Sequence, residues 1–336
     1  MNSSKSFEVS SFISQGREYF HSASTASRLV KPLLLYYGVL ALSRGLILFR
    51  SPTYREASLA QSHGLTTVGW GQTLSQGTNH LPLLAIRTQG SGTLSQLIEI
   101  QKIRKWVFQD LGGVYLARPL TMDSLNWSAS FTITLENLLS RFPDLVDIYM
   151  NTMQKNSNVR SAWFALDFPS ALNFSDFGER ASLAMSIRDL DRDDTEELKG
   201  LLPMSIVEGI RSDQVFCGRH LRILSHIIDF KFASPDQIKD IILSLEGFEE
   251  PTSIEDLEKS TEGHFIFKLK NGEQLSDLTR VFCLSYILGM LVRYNPSTWA
   301  SLMSKRAGDR YLPILRSATD LIEREFPNLI LRQLLY

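Results

Sequence analysis

The chain has 336 residues, 43% of them apolar and 21% charged, and 35 basic against 36 acidic side chains give a formal charge of -1. That balance excludes a disordered tail, a collagen-like repeat and a disulfide-stapled scaffold, and it gives no overall attraction for nucleic acid. The length suits two domains, or one large one with a sizeable core.

Residues 1–10 are Ser-rich and predict a loose start. A helix is expected over 11–28, carrying Phe12, Tyr19 and Phe20 among polar positions. Pro32 suits the first turn of a second helix running to Phe49, which is apolar almost all round and therefore central. Its most apolar stretch, Leu33 to Leu42, is flanked by Lys31 and Arg44. A membrane span needs about 20 apolar residues, so this stretch predicts a buried core helix and no membrane contact. Ser51-Pro52 stops it, and a short helix from Tyr54 to Ser62 leads into His63-Gly64-Leu65. Residues 66–92, rich in Gly, Thr, Ser and Gln, predict a loop with short strands, one of them at 81–88. Helices are expected at 94–110, 134–141 and 143–154, the last with Pro143 in its first turn.

The middle of the chain changes character. SAWFALDF (161–168) and ASLAMSI (181–187) predict strands, and 191–200 is polar and expected to be exposed. Residues 213–230 read as strand then helix, and 236–245 as a short helix. The acidic stretch 247–263 reads as an excursion. The stretch 264–273 alternates, and its Asn271-Gly272 is a strong hairpin-turn signal. An apolar helix is expected from 275 to 294, ended by Pro296, with further helices at 297–304 and 311–325.

These elements make an α+β protein, mainly helical. Residues 1–154 form an N-terminal helical region with a Gly-rich excursion at 66–92, and 155–274 a mixed strand and helix segment. Residues 275–336 form C-terminal helices that pack back on the N-terminal region. The helices at 31–49 and 275–294 each need burial on most sides, so each is the natural partner of the other.

Charge and thiol usage add two expectations. Residues 1–120 hold 12 basic and 5 acidic side chains, whereas 185–262 hold 9 basic and 18 acidic. Any nucleic-acid contact therefore belongs to the basic first segment. Only Cys217 and Cys283 are present, and the first residues lack a basic head followed by an apolar run. Both features point to a cytoplasmic protein without a leader.

Five blocks carry a resemblance. REYFHSAS (17–24), KPLLLYYGVLALSRGLIL (31–48) and SHGL (62–65) are followed near the other end by LSYILGMLVRYNPSTW (284–299) and FPNLILRQLL (326–335). In this order they closely resemble the YaaC-like family of bacterial proteins, best over 10–65 and 275–336. The resemblance implies no particular activity. The Tyr-bearing apolar helix also looks like those of the HEPN helical superfamily, which includes ribonucleases and inert binding modules. That likeness suggests a place in a prokaryotic defence or stress system.

The candidate chemistry follows from single residues. HEPN-type ribonucleases pair an Arg with a His four to six residues on, the His moving the proton of the attacking 2′-hydroxyl and the Arg steadying phosphate charge. Arg219 and His226 have six residues between them and would share a helix face. With 23 Arg and six His in the chain, one such spacing is expected by chance. Cys217, His220 and His226 lack the paired spacing of a structural zinc site, and no metal or other cofactor is expected. Lys31, His63, Arg293 and Tyr294 are candidate binding residues. His63 and Arg293 sit where charged or titratable groups at apolar helix ends need partners, and they are expected to line one polar patch. The motifs of phosphate-binding loops, dinucleotide folds, α/β-hydrolases and zincins are all missing from the sequence. The expected function is a non-enzymatic binding or regulatory module with a protein partner or a second copy of itself. The alternative is a metal-independent ribonuclease using Arg219 and His226.

Overall fold

The computed structural model describes residues 3–110, 115–123, 130–167, 180–187, 210–212, 221–229, 248–249, 261–267, 269, 275–306 and 310–335. The chain divides into two compact units, one of residues 1–103, 123–157 and 268–336 and the other of 104–122 and 158–267. The fold is α+β and mainly helical, as expected.

In the first unit, helix α1 spans Ser3–Thr25 and α2 spans Lys31–Arg50. The short 26–30 connection forces them antiparallel. Gly16 faces Leu42, Gly38 faces Phe20 and Gly45 faces Ile13, so the pairs run in opposite directions. A Cβ on Gly16 would stand 2.6 Å from Leu42; only a glycine lets these helices approach so closely. The loose start expected over residues 1–10 is instead helical from Ser3. Buried Val9 anchors that turn, and the Lys5 ammonium donates to the Ser51 carbonyl at the end of α2.

Strands β1 (Leu65–Val68), β2 (Ala85–Thr88) and β5 (Thr132–Thr134) form an antiparallel sheet in the order β1-β2-β5. Helix α3 covers Trp70–Ser75 and α4 covers Thr93–Ile100. The helix expected over 94–110 stops at Ile100, and Lys102–Asp110 is strand β3, paired with β4 at Tyr115–Asp123. The short helix expected at 54–62 is reduced to one 3-10 turn at Glu56–Ser58. Helices α5 (Leu135–Leu139) and α6 (Val146–Met153) follow.

The second unit holds the sheet β10-β11-β6-β7-β9-β8, in which every described pairing is antiparallel. Its strands are β6 (Val159–Asp167), β7 (Arg180–Ile187), β8 (Ile210–Ser212), β9 (Leu221–Asp229), β10 (Phe248–Glu249) and β11 (Thr261–Ile266). Residues 221–229, expected to be helical, are strand. The run Leu221, Ile223, Ile227 and Ile228 supplies the β-branched and apolar side chains that favour this pairing. The exposed stretch at 191–200, the helix at 236–245 and the Asn271-Gly272 turn lie outside the described residues.

The chain then returns to the first unit with α7 (Asp277–Tyr294), α8 (Pro296–Met303) and α9 (Leu312–Leu335). Ser276 caps α7 by accepting from the Thr279 amide at 3.2 Å. The last helix runs ten residues past its expected end and carries Pro327 inside it. Phe326 and Ile330 are both buried on either side of the proline, so packing holds the helix through it.

Helices α2 and α7 share one core with α9, as expected from their apolar patterns. Leu288 is 0% exposed, and a Cβ on Gly289 would lie 2.6 Å from the Tyr36 Cβ. Leu34 and Tyr37, on a helix expected to be buried on most sides, are only half-buried. Leu33, Tyr37 and Arg44 fall on one stripe of α2 at helical spacing, and that stripe is the least covered. Among the described residues α2 is the single helix long and apolar enough to cross a membrane, and it is largely buried within the unit. Its 20 residues double the stretch that the sequence marked out.

Candidate functional site

The site grows from a loop held by two glycines. Gly64 (φ +80°) and Gly92 (φ +137°) lie back to back, and a Cβ on Gly92 would run into the Gly64 backbone. Thr93 donates its amide to the Ser62 carbonyl at 2.9 Å, Leu94 donates to His63 at 3.1 Å, and Gln89 donates to Gly64 at 2.9 Å. The start of α4 therefore clamps the backbone around His63 and fixes where its ring points.

That ring meets the core through Tyr36. The Tyr36 hydroxyl lies 2.5 Å from His63 Nδ1. Burial pushes the Tyr36 phenol strongly upward, with Tyr286 and Tyr37 adding to it, so the phenol keeps its proton. Burial first, then the positive charges of Arg44 and Arg293, pushes the His63 imidazole below 6.5. A neutral ring that accepts at Nδ1 carries its hydrogen on Nε2. His63 Nδ1 is the one hydrogen-bond partner of the Tyr36 hydroxyl among the described residues; with the phenol as donor, Nδ1 accepts and the ring hydrogen sits on Nε2.

Tyr286 of α7 completes an aromatic triangle. Its centroid is 5.7 Å from Tyr36 and 5.8 Å from His63, and Tyr36 and His63 are 5.5 Å apart. The Tyr286 hydroxyl donates to the Leu65 carbonyl at 3.2 Å, which ties α7 to the same loop. Burial, then Tyr294, pushes that phenol up to about 12. Tyr37 and Tyr19 extend the ring stack outward at 5.6 and 5.7 Å.

The charge around these rings is one-sided. Arg44 donates to the Ala60 carbonyl at 3.2 Å, and its Nε is buried without a hydrogen-bond partner. Burial lowers the Arg44 pKa, and its guanidinium is half-buried. Arg293 is exposed and lies over the Tyr294 ring at 5.1 Å. Among the described residues neither arginine is paired with a carboxylate. The charges of two arginines thus act on the His63 ring beside buried phenols, and among the described residues neither is offset by an ion pair.

The charge of Arg293 reaches the His63 ring, and the Arg293 guanidinium lies over the ring of Tyr294. Lys31 has a different setting: its ammonium lies 2.6 Å from Glu323 and 4.0 Å from Asp320, so it joins the start of α2 to α9. Arg219 lies outside the described residues. His226 stands in β9 and not on a helix, so the shared helical face on which the Arg219–His226 reading depended does not exist at that position. It is the unpaired residue of a bulge, because Ser182 pairs with Ile227 and Leu183 with Ser225. Cys217 and His220 lie outside the described residues too. Burial pushes the Cys283 thiol up to about 12, and among the described residues no three His, Cys, Asp or Glu groups converge as metal ligands.

Tyr286 was not singled out from sequence, although it sits in a recognisable block. Its signal was spacing: Tyr286 and Arg293 are seven positions apart on α7, as Tyr36 and Arg44 are eight apart on α2. Seven positions are about two helical turns, so Tyr286 shares a face with Arg293, whereas the eight between Tyr36 and Arg44 set those two on adjoining faces.

The residue pattern of the YaaC-like Protein family matches residues 2–334 of the chain. The chain belongs to the YaaC-like family. The match takes in the middle as well as the two terminal regions that carried the resemblance, and it does not extend to the HEPN superfamily. No curated protein and no solved structure matches the chain.

Proposed function

We propose that this YaaC-like chain is a binding or regulatory module, not an enzyme, and that it recognises an anionic group at the Tyr36–His63–Tyr286 cluster. The observation that carries this reading is the pair Arg44 and Arg293, whose charges both act on His63 and which have no carboxylate partner among the described residues. A half-buried guanidinium at Arg44 and an exposed one at Arg293, beside a neutral imidazole, are suited to accept a carboxylate or phosphate from a ligand or partner.

A catalytic reading is less well supported. A histidine serving as general base is usually oriented by a carboxylate on its second nitrogen, which stabilises the cation that forms. His63 has a phenol there, and its surroundings disfavour the cation. The ribonuclease alternative has lost its helical Arg–His face. The compartment that fits two thiols, one deeply buried, is a reducing cytoplasm.

The test is a titration of the full chain with acetate and with inorganic phosphate, followed through the His63 ring signals by NMR. Saturable shifts that vanish in Arg293→Gln support the reading. Ring signals that ignore both anions refute it.

A further inference from the structure

A cleft of about 630 Å³ opens on the first unit between the C-terminal turn of α6 and the start of α9. Its polar lining includes Lys305, Arg310 and Arg316, and its apolar lining is Ile148, Leu312 and Pro313. Among the described residues no Asp or Glu lines the cleft.

One of these cations has a structural duty. Arg310 Nε donates to the Thr152 carbonyl at 3.2 Å, in the last turn of α6, and its guanidinium lies over the Tyr311 ring at 5.2 Å. A basic side chain on a helix C-terminus is ordinary capping. That duty does not extend to the other two. Among the described residues Lys305 and Arg316 have no ion-pair partner, and Arg316 Nε is closed off from solvent without a hydrogen-bond partner. The first turn of the 24-residue α9 borders the same space and adds the positive end of its dipole.

We propose that this cleft binds a phosphate monoester, its head held by Lys305, Arg310 and Arg316 and its organic part against Ile148, Leu312 and Pro313. A carboxylate would leave most of the positive charge unbalanced. A dianionic phosphate head offers three oxygens to two guanidinium forks and an ammonium. The volume suits a small organic ligand, and an apolar wall with a few convergent polar groups is the usual form of such a site. The site uses no residue of the His63 cluster and does not depend on the function proposed there.

The test is isothermal titration of the full chain with phenyl phosphate and with inorganic phosphate. It is run in the Arg293→Gln background, so that the His63 cluster does not contribute. One saturable site is expected, with phenyl phosphate binding more tightly than inorganic phosphate. Arg316→Gln and Lys305→Gln should each weaken binding roughly tenfold or more, as loss of a charge-assisted hydrogen bond does. Thermal unfolding checks that Arg316→Gln still folds. Asn151→Glu, a change at an exposed lining residue, sets a carboxylate in the cleft and should block binding without touching the core. Absence of binding, equal affinity for the two probes, or unchanged affinity in Asn151→Glu and Lys305→Gln overturns the proposal.

Discussion

Gly289→Ala tests the central packing with a sign opposite to the ordinary expectation. In the middle of a helix, alanine is favoured over glycine by about 1 kcal/mol, so the change alone would stabilise α7. At this position the added methyl would stand 2.6 Å from the Tyr36 Cβ, 2.9 Å from Cγ and 3.2 Å from Cδ1. The nearest of these atoms is rooted in the α2 backbone and cannot rotate away, so the two helices must part. Overpacking a filled core costs about 1–3 kcal/mol, and a clash with a backbone-anchored atom belongs at the upper end. Setting about 3 against about 1 leaves a net loss of about 2 kcal/mol. Urea unfolding followed by circular dichroism measures it as a lower midpoint at unchanged slope. Because Tyr36 carries the hydroxyl at His63, the same variant should also shift the His63 ring signals. A neutral or stabilising Gly289→Ala would mean that α2 and α7 do not meet at this point, and the shared core would have to be redrawn.

Leu288→Ala, at a fully buried position, should cost about 2–5 kcal/mol in the same assay; a cost below about 1 kcal/mol would place it outside a packed core. Gly92→Ala should destabilise the chain and broaden the His63 signals, since no Cβ fits against the Gly64 backbone; an unperturbed spectrum would remove the loop clamp. Tyr36→Phe leaves Nδ1 of His63 without its donor and should cost about 1 kcal/mol, read as a lower unfolding midpoint. The pH dependence has a definite sign. His63 in the folded chain binds its proton less readily than at the ordinary value of 6.5, so protonation favours the unfolded state. Its contribution is fully present above pH 6.5 and is lost as pH falls through the lower folded value. His63→Gln should flatten that part of a stability–pH profile, and an unchanged slope would contradict the assignment.

The legible parts of this fold were those fixed by local pattern. Helices α2 and α7 are apolar on nearly every face, and each is bounded by a proline, so their extents and their partnership followed directly. The failures have physical causes. The amphipathic Thr93–Ile100 ran without a strong stop into Lys102–Asp110, whose Trp-Val-Phe run prefers a strand. The last helix was expected to end at 325, two residues before Pro327, whereas buried Phe326 and Ile330 carry it through. At the site, His63 and Arg293 were expected at one rim because both end segments next to apolar helices, and the charge of Arg293 does reach the His63 ring. Their link through the hydroxyl of Tyr36 could not be foreseen, since it depends on Gly64 meeting Gly92 across 28 positions of chain. Arg219 and His226 illustrate the opposite error, in which a spacing that is meaningful on a helix was applied to residues of which one is a strand bulge.

The most direct test of the anion site is the pKa of His63, followed by NMR in the wild-type chain, in Arg293→Gln and in saturating phosphate. The wild-type imidazole should titrate below 6.5, and its pKa should rise when the Arg293 charge is removed. It should also rise when a bound anion offsets the two guanidinium groups. An imidazole that titrates at or above 6.5 and responds to neither change would contradict the convergence of Arg44 and Arg293 on His63.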